Sequence, residues 1–350
     1  MKVGATTEMI GRVKRVIEAE GVRPHEVPSE NRMVMNVIGN VPDVIGLELK
    51  VKDMEGVKDV KTVSMPYRFV SREFKEEDTV IDVGGVLIGG KNLTVIAGPC
   101  AVETEEQTLE IAHAVKRAGA NVFRGGAFKP RTDPNSFQGL GERGLEILSR
   151  VRQETGLPVV TEIMDTDNFE LVEAYTDILQ IGTRNMQNFS LLRRAGKARK
   201  PVILKRGLAN TLEEWLMSAE YIVEGGNSHV ILCERGIRTM STHSRNTLDL
   251  HSVLAGHLET HLPIIVDPSH AAGKRYQVIP LALAAMSVGA NGIMVEVHNA
   301  PENALCDGPQ SLRLNEFADL MTKCRQAAEL GGKTLFSIGE NEPGRLLSVN

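Results

Sequence analysis

The chain has 350 residues, enough for two domains or for one large barrel with an appendage. Lys plus Arg number 40 against 45 Asp plus Glu, a formal charge of −5, which excludes nucleic-acid binding driven by net charge but leaves room for a local basic pocket. Aromatic residues at 4% argue against a base-stacking surface, and no apolar run approaches the ~18 residues of a membrane span.

The opening MKVGATTEMIGRVKRVIEAEG carries charges where a signal sequence needs an apolar core, so the chain reads as cytoplasmic. Met9–Glu20 predicts a helix, Met33–Ile38 a strand, Asp43–Met54 a second helix and Val57–Val63 a further strand. Residues 1–70 thus read as a small α+β domain of the split βαβ, ferredoxin-like type. Its opening strand has only Met1–Ala5 available and is short or missing. Thr79–Gly90 (TVIDVGGVLIGG) predicts a hairpin with a Gly-Gly turn, placed to plug the lower mouth of a barrel.

From Leu93 onward eight short apolar runs alternate with amphipathic stretches. They are Leu93–Cys100, Asn121–Phe128, Pro158–Met164, Ile178–Arg184, Pro201–Gly207, His229–Gly236, Pro263–His270 and Gly292–His298. Most are β-branched, apolar on both faces and bounded by Gly or Pro, as buried parallel strands should be. Helical patterns such as Glu105–Arg117, Thr211–Glu224 and Glu316–Leu330 lie between or after them. The arithmetic is that of a (β/α)8 TIM barrel over residues 71–335, with 336–350 as a flexible tail.

Function in such a barrel sits at the C-terminal ends of the strands. Those ends carry Cys100; Arg124, Lys129 and Arg131; Glu162; Arg184; Lys205 and Arg206; Glu234, Arg235 and Arg238; Asp267 and His270; Glu296 and His298; Asp307 follows in the last loop. Arg124, Lys129, Arg131, Arg184, Lys205 and Arg235 would converge on one mouth, which implies an anionic ligand with more than one phosphate or carboxylate group. The alternative is a set of rim salt bridges with Glu162, Glu234 and their neighbours. Cys100, His270, Glu296 and Asp307 offer a thiolate, an imidazole and two carboxylates, a set suited to a divalent transition metal. His298 is the nearest substitute ligand. Taken singly, Cys100 would be a buried packing residue and His270 a structural hydrogen-bonder. His251, His257 and His261 read as solvated, Cys233 as packing and Cys306 as a bystander thiol. The scattered cysteines, Cys100, Cys233, Cys306 and Cys324, exclude a zinc knuckle on spacing.

The local words Ala97-Gly-Pro-Cys100, Lys129-Pro-Arg-Thr132, Leu204-Lys-Arg-Gly207, Cys233-Glu-Arg-Gly236, Ser244-Arg-Asn-Thr-Leu-Asp249, Asp267-Pro-Ser-His270 and Glu296-Val-His298 occur in one order. In this the chain resembles the 3-deoxy-D-arabino-heptulosonate 7-phosphate synthases, in the microbial subgroup related to 3-deoxy-octulosonate 8-phosphate synthase. The resemblance implies an aldol-like condensation of phosphoenolpyruvate with erythrose 4-phosphate, the first step of the shikimate pathway. It implies a divalent metal, manganese first and iron, cobalt or zinc as alternatives, on Cys100, His270, Glu296 and Asp307. It implies phosphoenolpyruvate on Arg124, Lys129, Arg184, Lys205 and Arg235. The sugar phosphate would meet Arg131 and Thr132, with Asp267 as a partner to a ligand or to a substrate hydroxyl. Lys129 would hydrogen-bond developing oxyanions or relay a proton.

The N-terminal domain resembles a module that implies feedback inhibition by tyrosine or phenylalanine, and tetramers are common in the family. The octulosonate synthases, which use arabinose 5-phosphate, typically carry Lys-Ala-Asn-Arg where this chain has Lys129-Pro-Arg-Thr132. A non-catalytic sensor of phosphorylated metabolites is the reading of another class.

Overall fold

The computed structural model describes residues 1–29, 32–37, 41–61, 66–131 and 133–337. It divides into two units, Met1–Met65 and a second that starts at Pro66. Among the described residues no helix is long and apolar enough to cross a membrane.

The first unit runs α1 (Thr7–Ala19), β1 (Pro24–Ser29), β2 (Arg32–Val37) and α2 (Val44–Lys52). Thr6 caps α1 by accepting from the Met9 N–H, and Asp43 caps α2 by accepting from the Gly46 N–H. Val13 and Ile17 of α1 pack with Leu47 and Val51 of α2 and with Val57. Strands β1 and β2 form an antiparallel hairpin. β1 lies outside the sequence expectation because its two prolines argue against a strand, and an edge position tolerates them. The strand expected over Val57–Val63 is absent through residue 61, and the remainder lies outside the described residues. Val57 and Val60 both enter the core, three residues apart, so the period of two is not realised. Met1 and Lys2 form no assigned strand, yet the Met1 amino group bonds the Met33 carbonyl at 2.8 Å and the Lys2 N–H bonds that of Gly56 at 2.7 Å.

In the second unit β3 (Val80–Val83) and β4 (Val86–Gly89) make the expected hairpin. Its turn residues Gly84 and Gly85 have φ of +60° and +88°, which the tight turn requires. Eight parallel strands follow: β5 (Asn92–Gly98), β6 (Val122–Arg124), β7 (Val159–Ile163), β8 (Ile178–Ile181), β9 (Val202–Lys205), β10 (Val230–Glu234), β11 (Ile264–Val266) and β12 (Gly292–Glu296). Each pairs with the next, and β12 pairs with β5 to close the barrel. The intervening helices are α3 (Glu105–Ala118), α4 (Glu142–Thr155), α5 (Phe169–Tyr175), α6 (Phe189–Ala195), α7 (Leu212–Glu224), α8 (Leu250–Glu259), a short α9 (Pro268–Ala272), α10 (Arg275–Ser287) and α11 (Leu314–Leu330). Ile96, Val122, Val160, Ile178, Ile203, Ile231, Ile265 and Met294, one from each barrel strand, form an inner ring with Cys233. Ile81, Val83, Val86 and Ile88 of the hairpin pack against it, sealing the end opposite the strand C-termini.

Both expected boundaries of the barrel shift. Residues 66–70 belong with it: the Phe69 and Val70 N–H groups donate to Glu220 of α7, and His261, expected to be solvated, is buried between the Thr79 hydroxyl and the Phe69 carbonyl, each at 2.8 Å. At the other end β13 (Thr334–Leu335) pairs with β5, and Phe336 enters the inner core rather than fraying. The rest of the expected tail, residues 338–350, lies outside the described residues.

Burial pushes Glu220 up to about 7 from its ordinary 4.5 despite the two N–H donors. The folded state therefore holds a proton that the unfolded chain releases in this interval. The resulting stabilisation is complete below 4.5 and lost as pH rises through about 7. His261, pushed down to about 4 by burial, acts with the opposite sign, so the test is a difference. Relative to Glu220→Gln, the wild-type chain is expected to lose up to about 3 kcal/mol between about pH 5 and 7 in urea unfolding. A pH-independent difference would refute this.

Candidate active site

Gly98, at the end of β5, begins the site. A Cβ there would collide with the Arg124 carbonyl oxygen, so only glycine lets the ends of β5 and β6 close up and bring Cys100 beside Arg124. His270 sits in α9, directly after β11; its backbone N–H donates to Asp267 Oδ1 at 3.0 Å, and its Nδ1–H donates to Oδ2 at 2.7 Å. That leaves Nε2 bare, 3.3 Å from Glu296 Oε1 and 3.7 Å from Asp307 Oδ2. Asp307 is the only non-glycine residue with positive φ among the described residues, at 53°. Such a conformation is unfavourable for most side chains and is tolerated best by Asn and Asp. It turns Asp307 Oδ2 to within 3.2 Å of Cys100 Sγ.

The donor atoms of Cys100, His270, Glu296 and Asp307 all lie within 4.8 Å of one another. This span is close to twice a ~2.2 Å metal–ligand bond, so one ion can reach all of them with little adjustment. The electrostatics fit as well. Burial pushes Glu296 up to about 7, with the Cys100 thiol adding to the effect. The hydrogen bond with Cys306 and burial raise Cys100 well above its ordinary 9.0. Asp307, by contrast, falls to about 2: burial opposes its charge, but His270 and Arg245 outweigh it. Acidic groups that resist ionisation so close together are stabilised by a cation among them. His298 is not part of this group. It is buried, its Nε2 lies 2.8 Å from Gln107 Nε2, and its Nδ1 accepts from the Ala300 N–H at 3.0 Å.

A cavity of about 450 Å³ opens at this mouth, lined by Arg124, Lys129, Arg131, Arg184, Lys205, Arg235, His270 and Asp307 among others. Arg124, Lys129, Lys205 and Arg235 are buried. Arg124 donates to Glu296 Oε1 (2.9 Å) and the Cys100 carbonyl (3.0 Å), yet its buried Nε has no hydrogen-bond partner. Arg235 has only the carbonyls of Gly236 and His270 at 3.3 and 3.2 Å, and desolvation pulls its pKa down. A buried guanidinium that meets only carbonyls, beside another with an unused N–H, calls for an anion. Lys129 Nζ reaches the Cys100 carbonyl at 3.0 Å and Sγ at 3.1 Å. Burial pulls its pKa down, but the acidic neighbours Cys100, Cys306 and Glu162 raise it overall, so it stays protonated.

Of the two roles read for Asp267, the contacts are those of a partner to the ligand His270. Asp267 is fully buried, does not line the cavity, and has its oxygens engaged by His270 and by Lys205 Nζ at 2.5 Å. Thr132 lies outside the described residues. Cys306, read as a bystander, lies 3.3 Å from Cys100 Sγ and accepts from Arg131 Nη1 at 2.8 Å. Glu162, Arg238, Arg245 and Asn246 also line the cavity. Glu162 and Arg238 stood among the strand-end residues, whereas Arg245 and Asn246 stood only within the word Ser244-Arg-Asn-Thr-Leu-Asp249, with no place at the mouth assigned to them.

Residues 72–331 match the family model described as the DAHP synthetase I family. The chain belongs to that family. The family is metal-dependent, in agreement with the Cys/His/Glu/Asp group. The phospho-2-dehydro-3-deoxyheptonate aldolase of Thermotoga maritima is 49% identical over 332 residues, covering 95% of this chain and 98% of that relative. Its crystal structure superposes with a TM-score of 0.77, covering 96% of this chain and 98% of that one. The 2-dehydro-3-deoxyphosphooctonate aldolase of Syntrophotalea carbinolica is 35% identical over 257 residues, 67% of this chain and 91% of that relative.

Proposed function

We propose that this member of the DAHP synthetase I family condenses phosphoenolpyruvate with erythrose 4-phosphate and water to give 3-deoxy-D-arabino-heptulosonate 7-phosphate and phosphate, the first step of the shikimate pathway. The observation that carries this reading is a four-donor metal group opening onto a cavity whose buried Arg124 Nε lacks a partner. Cys100, His270, Glu296 and Asp307 would hold the divalent ion, for which manganese is proposed ahead of iron, cobalt and zinc. When bound, such an ion supplies Lewis acidity toward the aldehyde oxygen.

The rest falls to the chain's own groups. Arg124, Arg184, Lys205 and Arg235 grip the phosphate and carboxylate of phosphoenolpyruvate, and Asp267 keeps Lys205 and His270 in place. C3 of the enol attacks the aldehyde carbon while Lys129 donates a hydrogen bond to the oxygen that gains charge. Water then adds at C2, and phosphate leaves with cleavage of its C–O bond. Arg131 and Thr132 meet the sugar phosphate.

The second reading, an octulosonate synthase, draws on the octonate aldolases among the relatives. It is disfavoured by Lys129-Pro-Arg-Thr132 and by the shorter share of this chain that those relatives match. By resemblance we assign residues 1–70 to feedback control by tyrosine or phenylalanine, and the enzyme to the cytoplasm as a homotetramer. The deciding assay follows phosphate release with erythrose 4-phosphate and with arabinose 5-phosphate, with and without chelator and each aromatic amino acid. Chelator-sensitive turnover of the four-carbon sugar alone is expected. Preference for the five-carbon sugar would establish the second reading, and inactivity of metal-loaded protein with both would favour a sensor.

A further inference from the structure

We propose that Arg245 is a second handle on the phosphate of the aldehyde substrate, opposite Arg131, and so helps the enzyme select phosphorylated aldehydes. The inference rests on the reaction proposed above. Arg131 and Arg245 approach neighbouring residues of one loop: Arg131 Nη1 lies 2.8 Å from Cys306 Sγ and Arg245 Nη1 lies 3.2 Å from Asp307 Oδ1. The other carboxylate oxygen of Asp307 faces the metal group. Arg245 therefore stands one carboxylate away from the metal group, on the cavity wall, and a short sugar phosphate whose aldehyde reached that group would bring its far end there.

Its present partners leave it available. The bonds to Asp307 Oδ1 and Gln310 Oε1 are long, 3.2 and 3.3 Å, and the side chain is 45% exposed. Arg131 has a thiol as its hydrogen-bond acceptor. A phosphate dianion accepts from two guanidinium groups at once and competes with a thiol, an amide oxygen and the one long contact to the Asp307 carboxylate, whose other oxygen faces the metal group.

The position of Arg245, unlike its tip, is fixed. Its N–H donates to the Ala272 carbonyl at 2.9 Å, and the Asn246 N–H to that of Ala271 at 2.8 Å, so the backbone is stitched to the segment just after His270. Both ends of its loop meet on one buried carboxylate: Glu234 Oε1 accepts from the N–H of Gly236 at 2.6 Å and of Asp249 at 3.2 Å. Arg206 Nη1 ties Glu234 Oε2 to Asp249 Oδ2 at 3.2 and 2.8 Å. Gly236 has φ +90°, and a Cβ there would press on Asn246 and Ala271. The loop is a rigid arm that ends in a guanidinium aimed over the site.

The test compares wild type, Arg245→Ala and Arg245→Lys, each loaded with Mn2+. Arg245→Ala is expected to raise KM for erythrose 4-phosphate at least tenfold, to leave KM for phosphoenolpyruvate within twofold and metal content unchanged, and to weaken inhibition by erythritol 4-phosphate, which has the phosphate but no aldehyde, by a similar factor. Arg245→Lys should recover part of both losses. Unchanged inhibition by erythritol 4-phosphate, or a parallel loss of bound metal, would mean that Arg245 acts through Asp307 and would overturn the proposal. If the wild-type chain turns over only arabinose 5-phosphate, the substrate reading fails, and the same comparison on that sugar decides the role of Arg245 separately.

Discussion

Replacing Lys129 with Met is expected to lower kcat by about 10³-fold or more while the bound metal is retained. Methionine keeps the length and apolar stem of the side chain, so the buried slot beside Cys100 remains filled. What disappears is the ammonium that reaches the Cys100 carbonyl and thiol at 3.0 and 3.1 Å. Burial alone would favour a neutral amine there. The acidic neighbours Cys100, Cys306 and Glu162 reverse this, so the pKa of Lys129 is raised overall and its proton stays on. The group is thus a standing donor toward an oxygen that gains charge, rather than a base. Steady-state turnover beside metal analysis of the same sample checks this, and activity within tenfold of wild type would remove Lys129 from the chemistry.

Stripping the metal should be at least as severe. Chelation is expected to abolish turnover, with recovery on adding back a divalent ion, and Cys100→Ala should resist that recovery. The pH dependence of loading has a definite sign. Without a cation the Cys100 thiol is held protonated, first by its bond with Cys306 and then by burial. Binding must expel that proton, so the apparent Kd should fall about tenfold per pH unit through the neutral range for each proton released. Equilibrium dialysis between about pH 6 and 8 measures the slope, and a flat profile would mean that Cys100 is not a ligand.

Much of this arrangement was legible in the chain itself, because buried parallel strands are apolar on both faces and stand out from amphipathic helices. All eight runs proved to be barrel strands, but their ends were overdrawn. The run Asn121–Phe128 continues past the true end of β6 at Arg124, and Pro263–His270 runs on into α9. Apolar patterning cannot register where the ladder stops and the chain turns to present a ligand. The metal group was readable because a barrel brings its strand ends together whatever their separation in sequence. Arg245 was not, since loop closure, not strand order, decides what it meets. His261 failed for a related reason: its partner Thr79 lies 182 residues away. In the first unit, Pro24 and Pro28 masked β1, and the three-residue spacing of Val57 and Val60 resembled alternation only by eye.

The hairpin of β3 and β4 has a consequence for traffic. With Ile81, Val83, Val86 and Ile88 filling one end of the barrel, the cavity opens at the other, where the strand C-termini lie. Arg124, Lys205 and Arg235 lie at the bottom of that shaft, and Arg131 and Arg245 stand at its threshold. An anion held by the deep cations is therefore expected to enter before the ligand at the threshold and to leave after it, which product-inhibition patterns would check. Such an ordered sequence would depend on a four-residue apolar plug on the far side of the barrel.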